Sequence, residues 1–242
     1  MKHKTLLFCI PYAGGSSTSM SNVANVLNSE DLEVHYLELP GRGMRSEEPF
    51  HSTLEETIED ISAKIKSTLQ STDQPFILWG HSMGSVLSLL VSFKIQEDYN
   101  CRGLIVSGMR APLFKSTKKP LSREKRNALL VDILPTKYER SKNAPLFQRV
   151  QQKRIEIMEK DVALLEENPV ADWSSVIIKS PLAVIIAEDD ELYDNKDCYL
   201  QWNHHTSSAT SYFPVKGGHF FMFQYPSQTS ALIKTIINDL KY

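Results

Sequence analysis

Apolar residues fall into two rhythms that alternate along this chain. Short runs rich in strand formers, Thr5 to Ile10, Val34 to Leu39, Phe76 to Trp79 and Leu104 to Ser107, have the length of buried strands. Between them lie longer stretches near Met20 to Asn28, Thr53 to Leu69 and Met83 to Glu97, with the composition and spacing of helices. Such alternation predicts a mostly parallel sheet covered on both faces, a doubly wound α/β domain. The rhythm breaks over 108–176, where no strand pattern occurs and helical stretches are expected near Arg123 to Ile133, Leu146 to Met158 and Lys160 to Asn168. Strands resume at Leu182 to Ala187 and Thr210 to Phe213, and a closing helix spans about Ser227 to Leu240. Residues 1–242 therefore read as one domain. Its helical insertion is placed as a lid over the carboxyl ends of the strands, where sheets of this kind bind ligands.

The sharpest local signal is Gly80-His-Ser-Met-Gly84, set between a strand-forming run and a helix-compatible one. A side chain at the apex of so tight a strand-to-helix turn needs small flanking residues, and Gly80 and Gly84 supply them. Ser82 is thereby held out as a nucleophile. The motif predicts the α/β-hydrolase fold, in which the partners follow in the order serine, acid, histidine.

A serine hydroxyl is a weak nucleophile at neutral pH and needs a base, which in turn needs an orienting carboxylate. His219, in Lys216-Gly-Gly-His-Phe220 beyond the last predicted strand, is the candidate base. His81 reads as a packing residue, and His3, His35 and His51 precede the elbow. The neighbours His204 and His205 lack a further ligand for a metal site. Among Glu188, Asp189 and Asp190, which end a buried strand, Asp190 is the first candidate acid and Asp189 the second, because a few residues past the strand are needed to turn toward the histidine. Backbone N-H donors for an oxyanion are expected from Met83 and from Tyr12 or Ala13 in Pro11-Tyr-Ala-Gly-Gly15. Arg42 and Arg45, in and after Leu39-Pro-Gly-Arg-Gly43, read as structural ion-pair formers ahead of substrate contacts.

Composition mostly excludes. The formal net charge of -2 gives no global field to recruit nucleic acid or an anionic membrane, and the hydrophobic content of 41% suits a buried core. Cys9, Cys101 and Cys198 are too scattered for a disulfide framework and read as reduced thiols, and no apolar run approaches the ~20 residues of a membrane span. A soluble cytoplasmic enzyme without metal or cofactor is expected, with nothing demanding more than a monomer.

With these pieces placed, the chain resembles the type II thioesterases, the stand-alone editing hydrolases of nonribosomal peptide and polyketide assembly lines. The resemblance rests on Pro11-Tyr-Ala-Gly-Gly15, Leu39-Pro-Gly-Arg-Gly43 with Arg45 and Glu48-Pro49, Pro75 to Gly84, Ser107-Gly-Met-Arg-Ala-Pro112 and Gly217-Gly-His-Phe220. It implies Ser82, Asp190 and His219 as a triad, the insertion as a mobile lid, and the phosphopantetheine thioester of an acyl or peptidyl carrier domain as substrate. Carrier domains are typically acidic, so Lys115, Lys118, Lys119 and Arg123 are candidate docking residues. Departures from the family pattern are Ser85 for alanine, Trp79 for phenylalanine, Met109 for arginine and Ala187 for glycine. Competing readings are a carboxylesterase or lipase of the same fold, transacylation or perhydrolysis from the acyl-enzyme, and a catalytically silent binding module.

Overall fold

A computed structural model describes residues 3–115, 122, 124–125, 128, 145–192 and 197–240. Six strands, β1 (Thr5–Ile10), β2 (Leu32–Tyr36), β3 (Phe76–His81), β4 (Cys101–Ser107), β5 (Leu182–Ala187) and β6 (Thr210–Val215), form one all-parallel sheet in the order β2-β1-β3-β4-β5-β6. The principal helices are α1 (Leu54–Thr68), α2 (Met83–Ile95), α3 (Pro145–Glu167) and α4 (Pro226–Leu240).

Side chains alternate across each strand, and the two sets fill separate cores. Leu6, Phe8, Ile10, Phe76, Leu78, Val184 and Ile186 face α1 and α2. Leu7, Cys9, Ile77, Trp79, Ala183 and Ile185 face the Ser17–Leu27 segment and α4. Burial on both faces is why β1, β3 and β5 read as continuous apolar runs, whereas the edge strands β2 and β6 are only partly buried. Helix α1 starts on a capping box, the Thr53 hydroxyl accepting from the Glu56 amide at 3.1 Å while Glu56 accepts from the Thr53 amide at 3.1 Å.

Three elements differ from the sequence reading. The stretch near Met20 to Asn28 is a chain of short turns, 3₁₀ over Ser17–Met20 and Asn25–Leu27 around one α turn, Ser21–Ala24. Its polar side chains bond locally instead of leaving the backbone to form a helix: Asn28 accepts from the Val34 amide and Ser19 from the Ser16 amide. Strand β2 begins earlier and stops at Tyr36, because beyond it Glu38 turns away to accept two hydrogen bonds from Ser17. The two helices expected after Leu146 are one, α3, since neither Gly nor Pro separates them. The helix expected from Arg123 to Ile133 falls largely outside the described residues.

Because β1 and β3 are neighbours while β2 lies on the far side of β1, the direction in which successive strands are added to the sheet reverses at β1. That opens a crevice at their carboxyl ends. The loop after β1 and the turn after β3 are the two segments the sequence singled out.

Candidate active site

Ser82 occupies the first residue after β3, with φ 53° and ψ -121°. It is the only non-glycine among the described residues with positive φ. Such a conformation costs on the order of 1–3 kcal/mol and persists only when its surroundings enforce it. Enforcement comes from two close approaches. A Cβ at Gly80 would collide with the Gly84 carbonyl, and one at Gly84 with the carbonyls of Ile10 and Pro11. The motif's glycines therefore let the turn fold on itself and let α2 press onto the loop after β1.

Beneath the turn, Ser85 takes part in a buried network. Its hydroxyl lies 2.9 Å from the Gly80 carbonyl and 3.0 Å from the Ser107 carbonyl, and it accepts from the Ser107 amide at 3.1 Å. The Ser82 amide donates to the Ser107 carbonyl at 2.8 Å. Ser85 thus ties the elbow to β4.

The loop after β6 runs back across the ends of β5 and β4 to the elbow. Gly217, at φ 106°, makes the bend possible. His219 is buried, its Nδ1 is 2.9 Å from Asp190 Oδ2, and its ring centroid lies 5.1 Å from that of His81, the residue before Ser82. Asp190, with its side chain 1% exposed, also accepts from the Leu192 amide at 3.0 Å and faces the Tyr199 hydroxyl at 3.3 Å. Asp189 has another partner. Its carboxylate accepts from the Gly217 amide at 3.1 Å and its own amide donates to the Gly217 carbonyl at 3.0 Å, so it clamps the start of the histidine loop.

Burial, with a smaller contribution from the neighbouring His219, holds the pKa of His81 well below the ordinary histidine value, and its Nδ1 is 2.9 Å from Ser107 Oγ. Neutral His81 is a floor for the His219 ring. His205 is also buried, with Nδ1 3.0 Å from the Val176 carbonyl. Phe220 packs edge-on against Tyr12 with centroids 4.9 Å apart, joining the histidine loop to the loop after β1. In that loop, Gly14 adopts φ 80° and the Gly15 amide donates to the Tyr12 carbonyl at 2.9 Å. Ile10 and Pro11, just before Tyr12 and Ala13, lie against Gly84 in the first turn of α2, which begins at Met83.

Asp161, on α3, escaped the sequence reading. It forms a bidentate ion pair with Arg42, Nη1 to Oδ2 at 2.6 Å and Nη2 to Oδ1 at 2.5 Å, with both side chains 3% exposed. A carboxylate on the helix stripe that also carries Met158 and Leu165 was the available signal. Arg45 is likewise paired, with Asp60 at 2.7 Å and Glu48. Of the candidate docking residues, Lys115 is exposed after β4, while Lys118, Lys119 and Arg123 lie outside the described residues. No helix among the described residues is long and apolar enough to cross a membrane.

A parallel sheet with a strained serine after β3, and a histidine delivered from the far end of the chain, define an α/β-hydrolase. The thioesterase domain model matches residues 5–240, so the chain belongs to the thioesterase family and is a hydrolase acting on thioesters. It is 26% identical over 227 residues to the medium-chain S-acyl fatty acid synthase thioesterase of Rattus norvegicus, covering 90% of this chain and 81% of that one. A 118-residue stretch, 48% of this chain and 44% of the relative, is 33% identical to the gramicidin S biosynthesis protein GrsT of Aneurinibacillus migulanus. The structure of RedJ, a thioesterase from the prodiginine pathway of Streptomyces coelicolor, shares the fold with a TM-score of 0.79. Its identity is 23%, over 96% of this chain and 85% of that one.

Proposed function

We propose that this protein is a type II thioesterase that clears acyl groups from the phosphopantetheine arms of carrier domains. Ser82, His219 and Asp190 would act as nucleophile, base and orienting acid. The observation that carries the proposal is the buried His219–Asp190 hydrogen bond, 2.9 Å long, presented beside a strained elbow serine. With Nδ1 engaged by Asp190, the imidazole keeps Nε2 for the Ser82 proton. The Ser82 oxygen attacks the thioester carbonyl, the Met83 amide and that of Tyr12 or Ala13 receive the oxyanion, and the C–S bond breaks. A thiol of pKa about 8.5 leaves with little help. Water, deprotonated by the same histidine, then releases the acid and restores Ser82.

A cavity of about 370 Å³ begins one helical turn beyond Ser82, at Val86, and is walled by Met109, Val162, Leu165 and Trp173. It is the candidate acyl chamber. Its volume lies within the roughly 300–1,000 Å³ of small-molecule sites. Helix α3 contributes Val162, Leu165 and Glu166 to the wall of this chamber. GrsT and RedJ are named for gramicidin S and prodiginine biosynthesis, which supports an assembly-line carrier as partner.

Mass spectrometry of carrier domains loaded with acyl groups of increasing length tests this reading. Expected is clearance of short acyl carriers, lost on Ser82→Ala by on the order of 10⁶ in turnover. Retained hydrolysis by Ser82→Ala refutes the nucleophile. Preference for a matched small oxoester over the carrier thioester favours the esterase reading instead.

A further inference from the structure

The Arg42–Asp161 pair is more than a buried salt bridge, because a third group shares it. Asp161 Oδ2 also accepts from the Gly14 amide at 2.8 Å, and Arg42 Nη1 also donates to the Gly15 carbonyl at 3.2 Å. The amide of Gly14 and the carbonyl of Gly15 are thus both held by one charge pair. Arg42 Nε reaches the Pro40 carbonyl at 3.4 Å, which fixes the guanidinium to its own turn. The acid comes from α3, inside the insertion, 147 residues from Gly14. The helix also packs directly on the loop: a Cβ at Gly14 would strike the Met158 side chain and crowd the Arg154 carbonyl. Gly14 immediately follows the Tyr12–Ala13 segment proposed to supply an oxyanion donor.

We propose that Asp161 is a positioning residue through which the insertion sets the oxyanion donor on the loop after β1, so that the site is competent only while α3 is docked. The inference rests on the serine-hydrolase reading above. Its physical basis is the unequal use of the charge pair. As a stability device a buried ion pair is weak, since desolvation offsets much of the attraction. As a locator it is strong: the bidentate fork has fixed geometry, and Oδ2, already held by Arg42 Nη1, is aimed at one backbone N-H. Replacing Asp161 by Asn keeps the size but removes the charge that both Arg42 and Gly14 use. The neighbouring N-H then loses its fixed place, which matters in the transition state and little in the ground state.

The experiment compares Asp161→Asn with Asp60→Asn, which breaks the Arg45 pair on the core side without touching the loop. Expected for Asp161→Asn is a fall in kcat of about ten- to hundredfold toward a short acyl thioester, with KM changed less than about threefold. Affinity for an alkyl trifluoromethyl ketone, which adds the Ser82 oxygen to its carbonyl and places the resulting oxyanion in the same donors, is expected to weaken by the same factor as kcat. Asp60→Asn is expected to lower thermal stability and leave both quantities unchanged. If Asp161→Asn does not fold, Arg42→Lys, which keeps the charge but loses the fork, is expected to give a smaller loss with the same split. A loss of stability with kcat and ketone affinity intact, or a rise in KM alone, overturns the proposal. A wild-type enzyme no faster than Ser82→Ala overturns the underlying hydrolase reading instead, so the two failures are distinct.

Discussion

Two adjacent aspartates follow β5, and their contacts predict that substituting them by asparagine will separate by orders of magnitude in rate. Asp190 bonds His219 Nδ1 at 2.9 Å and is fixed by the Leu192 amide at 3.0 Å. In Asp190→Asn the amide can either accept from the ring or present its NH₂, and the charge that stabilises an imidazolium is gone in both cases. By analogy with the corresponding change in a well-characterised serine protease triad, which drops turnover by about 10⁴, a loss of 10³ to 10⁴ is expected, or about 4–5.5 kcal/mol of transition-state stabilisation. Asp189 accepts one bond, from the Gly217 amide at 3.1 Å, and an asparagine carbonyl can accept the same bond. Asp189→Asn should therefore cost less than about tenfold, through slight loosening of the histidine loop. The assay is kcat/KM with a short acyl thioester of a small thiol, following thiol release, with circular dichroism showing that both variants fold. The acid assignment is refuted if Asp189→Asn loses as much as Asp190→Asn, or if Asp190→Asn stays within tenfold of the wild type.

Further outcomes concern stability. Ser82→Gly should abolish turnover yet raise unfolding free energy by about 1 kcal/mol, because glycine accepts φ 53° without the strain serine carries, less its own backbone-entropy cost; a lowered denaturant midpoint contradicts the enforced-strain account. His81, and to a lesser degree His205, have pKa values depressed in the folded state, chiefly by burial. The unfolded chain therefore binds more protons below its own histidine pKa, so stability is complete above about pH 6.5 and declines as pH falls through that value. Denaturant titrations at pH 7.5 and 5.5 should show this decline, and His81→Phe should flatten it; an unchanged slope in that variant removes His81 as the cause.

Much of the fold could be read from the chain because β1, β3 and β5 are buried on both faces and so written as unbroken apolar runs, with β1 and β5 falling where expected. The elbow was legible because Gly80 answers a steric demand inside its own five residues, although Gly84 also answers one from the distant loop after β1. Residues 17–28 were not, since serine and asparagine side chains there divert the backbone into turns that no apolar period announces. The order of preference between Asp190 and Asp189 came from reach beyond the strand, but what separates them physically is the return path of the histidine loop, a tertiary fact. Arg42 could be recognised as an ion-pair former, whereas its partner lies 119 positions away and was visible only as a charge on an apolar helix stripe.

The loop that carries His219 crosses two strands to reach a serine that was placed much earlier in the chain. During synthesis, a ribosome-bound intermediate that has already shaped β1, β3 and the elbow still lacks β6 and everything it delivers. Such a nascent chain has the proposed nucleophile but not the proposed base, and on that reading is inert toward the acyl groups around it. Under the proposed triad, thioester turnover then reports molecules whose sheet has been completed to its final edge, β6.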